Sequence, residues 1–297
     1  SMYPDDADCV PDVVRVATKT LRLAKDKHLH DAVCYSGDLE EKLDDNLRIK
    51  ELIKEAMEND FQGFYYLYTP ILDVKTEELI ACEAHLFWGN GDIIVPRDKI
   101  LPVIDRMNLS LAFHKYALGR LCELCAEVRA NGLPEFTVSY TIPENILNNE
   151  NCLLILKERL LEYSLTPEAI AICVSESDQT LSTSIGSLKL MSRLGTKIIA
   201  DDKGESFFNG AFLDNPYINI VKLRARRLSD DPVAAAFVRS LIERAHSKNI
   251  KVCIKGVDNK RSLEYARRFD ADMYQGIVNC RPLHTTEFIK KMVINQR

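Results

Sequence analysis

Three acidic residues stand where strand-like runs stop. Glu83 closes ELIACEA, and Asp201 and Asp202 close KIIADD. A carboxylate at a strand end, inside a long alternation of strands and helices, is where barrel enzymes keep their chemistry. Further along come Lys222 and Arg224 in INIVKLR and Lys255 in KVCIKGV. Gathered carboxylates need positive charge to offset their mutual repulsion. Fixed cations at the same place neutralise the acids, and a strand-end carboxylate near a lysine or arginine is more often half of an ion pair. The expectation is therefore Lys255 or Arg224 within ion-pair distance of Glu83 or Asp201, with Lys222 and Arg224 facing the same side by strand alternation. His85 is expected to point to the other face of its strand from Glu83, as a packing histidine. Cys122 and Cys125 form a C-x-x-C inside the run LGRLCELCAEV. With no second pair at zinc spacing, a helix face is the expected role.

The elements that must position these residues follow from hydrophobic period. Phe61–Trp88 alternates and is rich in aromatics around a polar turn at Asp73, Lys75 and Thr76, which predicts a hairpin. Strands are predicted at 136–142, 169–175, 197–202, 218–224, 251–257 and 271–277, with amphipathic helical runs between them and Gly132, Gly195 and Asn249 as helix ends. Such alternation over more than 200 residues argues for a parallel α/β sheet, and about eight strands suggests closure into a barrel whose first strand is antiparallel to its neighbour. Upstream, Val13, Val14, Ala17, Leu21 and Ala24 recur at helical spacing, followed by a short strand. The densely charged run from Leu39 to Asn59 is a second predicted helix.

The chain has 297 residues, 46% hydrophobic and 28% charged, enough for one large barrel with a full core. A net charge of −5 without a basic run argues against a nucleic-acid partner. No apolar run approaches the roughly 18 residues of a membrane span, so no membrane insertion is expected and a cytoplasmic placement is. Nine cysteines, an odd count, fit reduced buried thiols. The Ser1-Met2 start reads as an added leader, with natural sequence expected upstream.

The hairpin residues also resemble the opening of EAL domains, the cyclic di-GMP phosphodiesterase family. Pro70, Ile71, Asp73, Thr76, Glu83, Ala84, Leu86 and Trp88 match its aromatic-Gln-Pro-Ile, Asp-x-x-Thr and Glu-Ala-Leu-Leu-Arg-Trp segments, with Thr69 for the Gln, His85 for the Leu and Phe87 for the Arg. The resemblance runs to Leu283 and implies a modified TIM-type (β/α)8 barrel over residues 61–297. Residues 1–38 resemble the tail of a GGDEF (diguanylate cyclase) domain, through Lys19, Thr20, Leu21, Arg22, Ala24 and Lys25, and 39–60 would be a connecting helix.

EAL phosphodiesterases hold two divalent metals on carboxylates, an amide and a lysine. The resemblance makes Glu83 the first metal ligand of that set. It puts Ser139 in place of the Asn, Cys173 in place of a Glu, Arg224 in place of the Asp after Lys222, and Lys255 in place of a proposed base. Glu176, Asp201, Asp202, Lys222, Gln275 and Pro282 keep family residue types, while the loop Lys203–Ser206 does not. This implies vestigial Glu83, Asp201 and Lys222, no catalytic residues, no metal, and weak ligand contacts from Asp202, Gln275 and Pro282. Mg²⁺ or Mn²⁺ would enter only if the protein were an active enzyme. The expected function is a protein-interaction or dimerisation module of cyclic di-GMP signalling, with an unidentified protein or a second copy as partner and Phe207, Phe208 and Phe212 as a candidate contact. The alternatives are a receptor that binds cyclic di-GMP without hydrolysis and, after it, an active phosphodiesterase.

Overall fold

Asp73 starts the barrel by closing its hairpin. In the computed structural model, which describes residues 2–3, 9–26, 37–89, 93–175, 183–202 and 211–294, its Oδ1 accepts the backbone N–H groups of Lys75 and Thr76 at 2.8 and 2.9 Å. A side chain that satisfies the turn's own donors fixes its geometry. Strands β1 (Phe64–Asp73) and β2 (Leu79–Gly89) then pair antiparallel, Phe64 opposite Trp88 and Thr69 opposite Glu83. A short β3 (Ile94–Pro96) adds to the free side of β2.

Six further strands run parallel in chain order: β4 (Thr137–Thr141), β5 (Ile170–Ser175), β6 (Lys197–Asp201), β7 (Ile220–Arg224), β8 (Lys251–Lys255) and β9 (Met273–Gln275). β4 pairs with β2, and β9 pairs antiparallel with β1, so eight strands close on themselves with β3 outside the ring. The fold is the modified TIM-type α/β barrel with an antiparallel first strand that the sequence predicts. Among the described residues no helix is long and apolar enough to cross a membrane.

Strand alternation sorts the apolar residues into two cores. Val138, Ile170, Ile172, Ile198, Val221, Val252 and Ile254 face outward, into one large core shared with the surrounding helices. Ala171, Cys173 and Ile199, with Ile71, Cys253 and Met273, form small separate clusters inside the barrel. The helices are α1 (Val10–Asp26), α2 (Gly37–Glu58), α3 (Arg97–Arg106), α4 (Ser110–Ala130), α5 (Glu144–Leu147), α6 (Cys152–Glu162), α7 (Ile185–Leu194), α8 (Pro232–Ser247), α9 (Lys260–Arg268) and α10 (Thr285–Phe288). Asp231 caps α8 by accepting the Ala234 N–H at 2.8 Å, ahead of Pro232, and Asn259 with Ser262 builds a capping box on α9. Gly132, Gly195 and Asn249 take positive φ beyond α4, α7 and α8, as predicted.

Ile53, Ala56 and Met57 on the last turns of α2 join the main core. In α1 the buried positions differ from the predicted stripe: Val14 and Leu21 are exposed, and Val16 and Thr20 are buried. The short strand predicted after α1 lies outside the described residues. Cys122 and Cys125 are buried on the inner face of α4, and burial pushes their thiols up to about 12 and about 11.

Candidate functional site

The parallel register brings the sequence-separated residues together. Glu83 lies beside Ser139, Asp201 beside Lys222, Arg224 beside Lys255, and Lys255 beside Gln275. At the centre, Lys222 Nζ lies 2.9 Å from Glu83 Oε2, and the same oxygen accepts from Gln275 Nε2 at 2.6 Å. Lys222 has no exposed surface and Glu83 only 6%. Burial opposes ionisation of Glu83, but the charges of Lys222 and His85 and the Gln275 hydrogen bond overcome it and hold the carboxyl down to about 2. Burial likewise opposes the charge on Lys222, and the surrounding Cys173 and Glu83 groups carry its pKa above the ordinary lysine value. The pair is ionised at neutral pH.

The other two acids have their own cations. Lys255 Nζ contacts Asp201 Oδ1, both side chains being largely buried. Burial nevertheless raises the Asp201 pKa, against the pull of Lys255 and Lys222. Asp202, fully buried, receives a two-pronged contact from Arg227, Nη2 to Oδ1 at 2.8 Å and Nε to Oδ2. Such a fork is the strongest geometry a guanidinium and a carboxylate can make. Lys255 thus meets Asp201 as the sequence leads one to expect, and the third cation is Arg227 in place of Arg224. The Arg224 guanidinium reaches the Asp202 backbone carbonyl, 3.3 Å from Nε. Arg227 sits on the short turn Ala225–Arg227 that follows β7. The run Arg224-Ala225-Arg226-Arg227 was the available signal, and only the turn's geometry decides which of its members reaches Asp202.

The expectation for His85 fails. Residues two apart on a strand share a face, and His85 Nε2 lies 3.0 Å from Thr69 Oγ1, on the residue opposite Glu83. Burial lowers its pKa even with Glu83 nearby. Ser139 donates its hydroxyl to the Cys82 carbonyl at 2.9 Å. Cys173 is fully buried, its thiol pushed up to about 12 by burial. Phe87 stacks on Tyr65 at 5.9 Å between centroids, and Tyr65 leans on His284 at 5.2 Å. Pro282 is exposed, beside Leu283, which bridges to Tyr68. Glu176, Lys203–Ser206, Phe207 and Phe208 lie outside the described residues. Phe212 is 4% exposed and packs in the main core, so it offers no contact surface.

Sequence reasoning missed a cavity of about 320 Å³ between the outer barrel wall and α3–α5. Its lining includes Tyr66, Arg97, Phe113, His114, Tyr140 and Asn145, with Thr141 at the end of β4. Arg97 donates to the Thr141 carbonyl at 3.3 Å. Among the described residues no group of three or more His, Cys, Asp or Glu side chains is placed to hold a metal ion.

The family model described as "EAL domain" matches residues 51–282. Among curated relatives, the signaling protein YkoW of Bacillus subtilis is 22% identical over the whole of this chain and 37% of its own length. The bifunctional diguanylate cyclase/cyclic di-GMP phosphodiesterase MucR of Pseudomonas aeruginosa is 20% identical over 97% of this chain and 43% of its own. The chain therefore spans about two-fifths of the length of these relatives. A solved structure of the EAL enzyme Bd1971, in its cAMP- and cyclic-di-GMP-bound form, superposes with a TM-score of 0.75 at 19% identity, over 94% of this chain and 74% of that one.

Proposed function

Because the chain belongs to the EAL domain family, we propose that it acts in cyclic di-GMP signalling without hydrolysing the dinucleotide, through contact with a protein partner or a second copy. The observation that carries this reading is that Lys255, standing where the family has a proposed base, holds Asp201 and Arg227 holds Asp202, beside the Lys222–Glu83 pair whose lysine the family keeps. Two divalent ions would have to displace those groups. At about 4 Å and an effective dielectric near 20, each lysine or arginine repels a unit positive charge by roughly 4 kcal/mol, and more for a divalent ion. Among the described residues the remaining donors do not supply the six or so oxygens that each Mg²⁺ demands. Ser139 is engaged with a backbone carbonyl and Cys173 is a buried neutral thiol. The described residues do not fit the two-metal centre that the family's chemistry needs.

A second reading has its own support. The cavity beside β4 combines aromatic walls, Tyr66, Phe113 and Tyr140, with Arg97 and Asn145, a lining suited to a planar base and a phosphate. The solved MucR phosphodiesterase that superposes on this chain is a c-di-GMP complex. Calorimetric titration with cyclic di-GMP, with and without Mg²⁺, and an assay for the linear dinucleotide separate the readings. Neither heat nor product is expected, and neither Mg²⁺ nor Mn²⁺ should raise the melting temperature. Saturable heat without product selects the receptor. Product formation that disappears in Glu83→Ala overturns the proposal.

A further inference from the structure

The opposite end of the barrel has a feature that the mouth's chemistry does not explain. TIM-type barrels fill their interior with layers of side chains, and the floor beneath the catalytic end ordinarily serves stability alone. Here the floor is open. A cavity of about 600 Å³ rises from the N-terminal ends of the parallel strands as far as Ser139 and Lys222. Its inner wall is apolar, formed by Ile71, Ala81, Ala171, Ile199, Ile220 and Met273. Two of these side chains, Ala81 and Ala171, are small for a barrel layer, and Ile220 keeps partial exposure.

The rim is charged, and its charges are unevenly matched. Of the four rim acids, Asp73, Asp270 and Asp272 have partners of their own, and Glu135 lines the cavity near Lys197 without reaching ion-pair distance. Asp73 caps the hairpin turn, and Asp272 Oδ2 accepts the Val252 N–H at 2.7 Å and lies 3.0 Å from His246 Nε2. Asp270 lies 3.9 Å from Lys75, and Glu135 is exposed. Lys197 and Lys251, the first residues of β6 and β8, line the same space, and among the described residues neither has a carboxylate within ion-pair distance. Between them Asn219, just before β7, accepts the Ile198 N–H on its Oδ1 at 2.8 Å, which leaves its amide N–H₂ as a donor. Burial and the proximity of Lys251 both lower the Lys197 pKa, against the opposing pull of Glu168 and Glu135.

We propose that this floor cavity is a binding site for a small organic anion with an apolar body, its acid group between Lys197, Asn219 and Lys251 and its hydrocarbon part against Ile199 and Ile220. The volume lies in the range of small-molecule sites, and an apolar wall with a few convergent polar groups is their usual construction. The two lysines supply charge-assisted hydrogen bonds and the apolar wall supplies burial. The charged rim lies at the opposite end from the mouth, although Lys222 and Ser139 of the mouth cluster form the cavity's ceiling, and the proposal does not depend on the functional reading above.

Naphthalene-1-sulfonate serves as the probe and neutral naphthalene-1-methanol as its control, both titrated calorimetrically into the whole chain. Saturable binding of the sulfonate is expected, at least tenfold tighter than the alcohol. Lys197→Met and Lys251→Met should each weaken the sulfonate about tenfold, the loss of one charge-assisted contact, and leave the alcohol unchanged. Ile220→Trp, which fills the cavity, should abolish both. Thermal melting confirms that each variant is folded, and Lys251→Met alters an exposed side chain that the fold does not need. Cyclic di-GMP should not compete, which keeps this result apart from any titration of the mouth. No saturable heat to millimolar sulfonate, equal affinity for sulfonate and alcohol, or unchanged affinity in both lysine variants overturns the proposal.

Discussion

At the residue scale, one carboxylate oxygen organises the barrel interior. Glu83 Oε2 takes both Lys222 and Gln275, while Gln275 Oε1 is buried without a hydrogen-bond partner among the described residues. A buried pair of this kind gains little over an apolar pair of the same shape, because desolvation offsets the attraction, but removing one member strands the other. Lys222→Met should therefore destabilise the protein by about 3–5 kcal/mol in urea denaturation, and adding Glu83→Leu should recover most of that loss. If the double variant were no more stable than the single, the pair would not be the unit. Lys255→Ala, at the half-open rim, should fall between Lys222→Met and a change at an exposed lysine such as Lys99. The residue types of this cluster were legible, since each is a charged side chain in or beside a strand-like run. The pairing was not, because three acids and several bases allow many matchings and only register and turn geometry select one.

At the scale of elements, the ends of β8 and β9 are held by a close crossing. The Val257 N–H donates to the Gln275 carbonyl at 3.0 Å and Val278 N–H to the Val257 carbonyl at 3.1 Å, with Gly276 in between. A Cβ on Gly276 would lie 2.2 Å from the Val257 oxygen and 2.4 Å from its nitrogen, backbone atoms that cannot move aside. Gly276→Ala should cost about 3 kcal/mol. Gly186→Ala in the first turn of α7, where an added Cβ meets nothing within 4 Å, should be neutral or slightly stabilising. Equal melting temperatures for the two variants would refute the argument. The parallel strands were legible because their outward positions are steadily apolar. β3 and α3 were not: a three-residue strand shows no period, and Pro102 interrupts the helical one.

For the whole molecule, buried His114 and Glu83, with His85 acting in the same sense, make stability fall as pH falls. His114 is 4% exposed, and burial lowers its pKa from 6.5 to about 4. In that interval the unfolded chain binds a proton that the folded chain refuses, so stability is intact above 6.5 and falls as pH drops toward 4, by about 3 kcal/mol. Glu83, lowered from 4.5 to about 2, adds a second loss in that lower window as its carboxylate is protonated. Urea denaturation at pH 7, 6, 5 and 4 should show the first decline in the native chain and a much shallower one in His114→Phe; parallel curves would count against His114 as its source. What the sequence determined alone is what repeats along it. The period-2 and period-3.6 patterns, the turn carboxylate Asp73 and the helix-ending Gly195 act over neighbouring residues and specify a barrel before any contact is known. What only the tertiary structure decided depends on residues far apart in the chain meeting across the ring. Lys222 meets Glu83 139 positions away, Arg227 and not Arg224 closes on Asp202, and His85 turns inward beside Glu83. The floor between Lys197 and Lys251 stays open because the volume inside a closed sheet is set by all eight strands together.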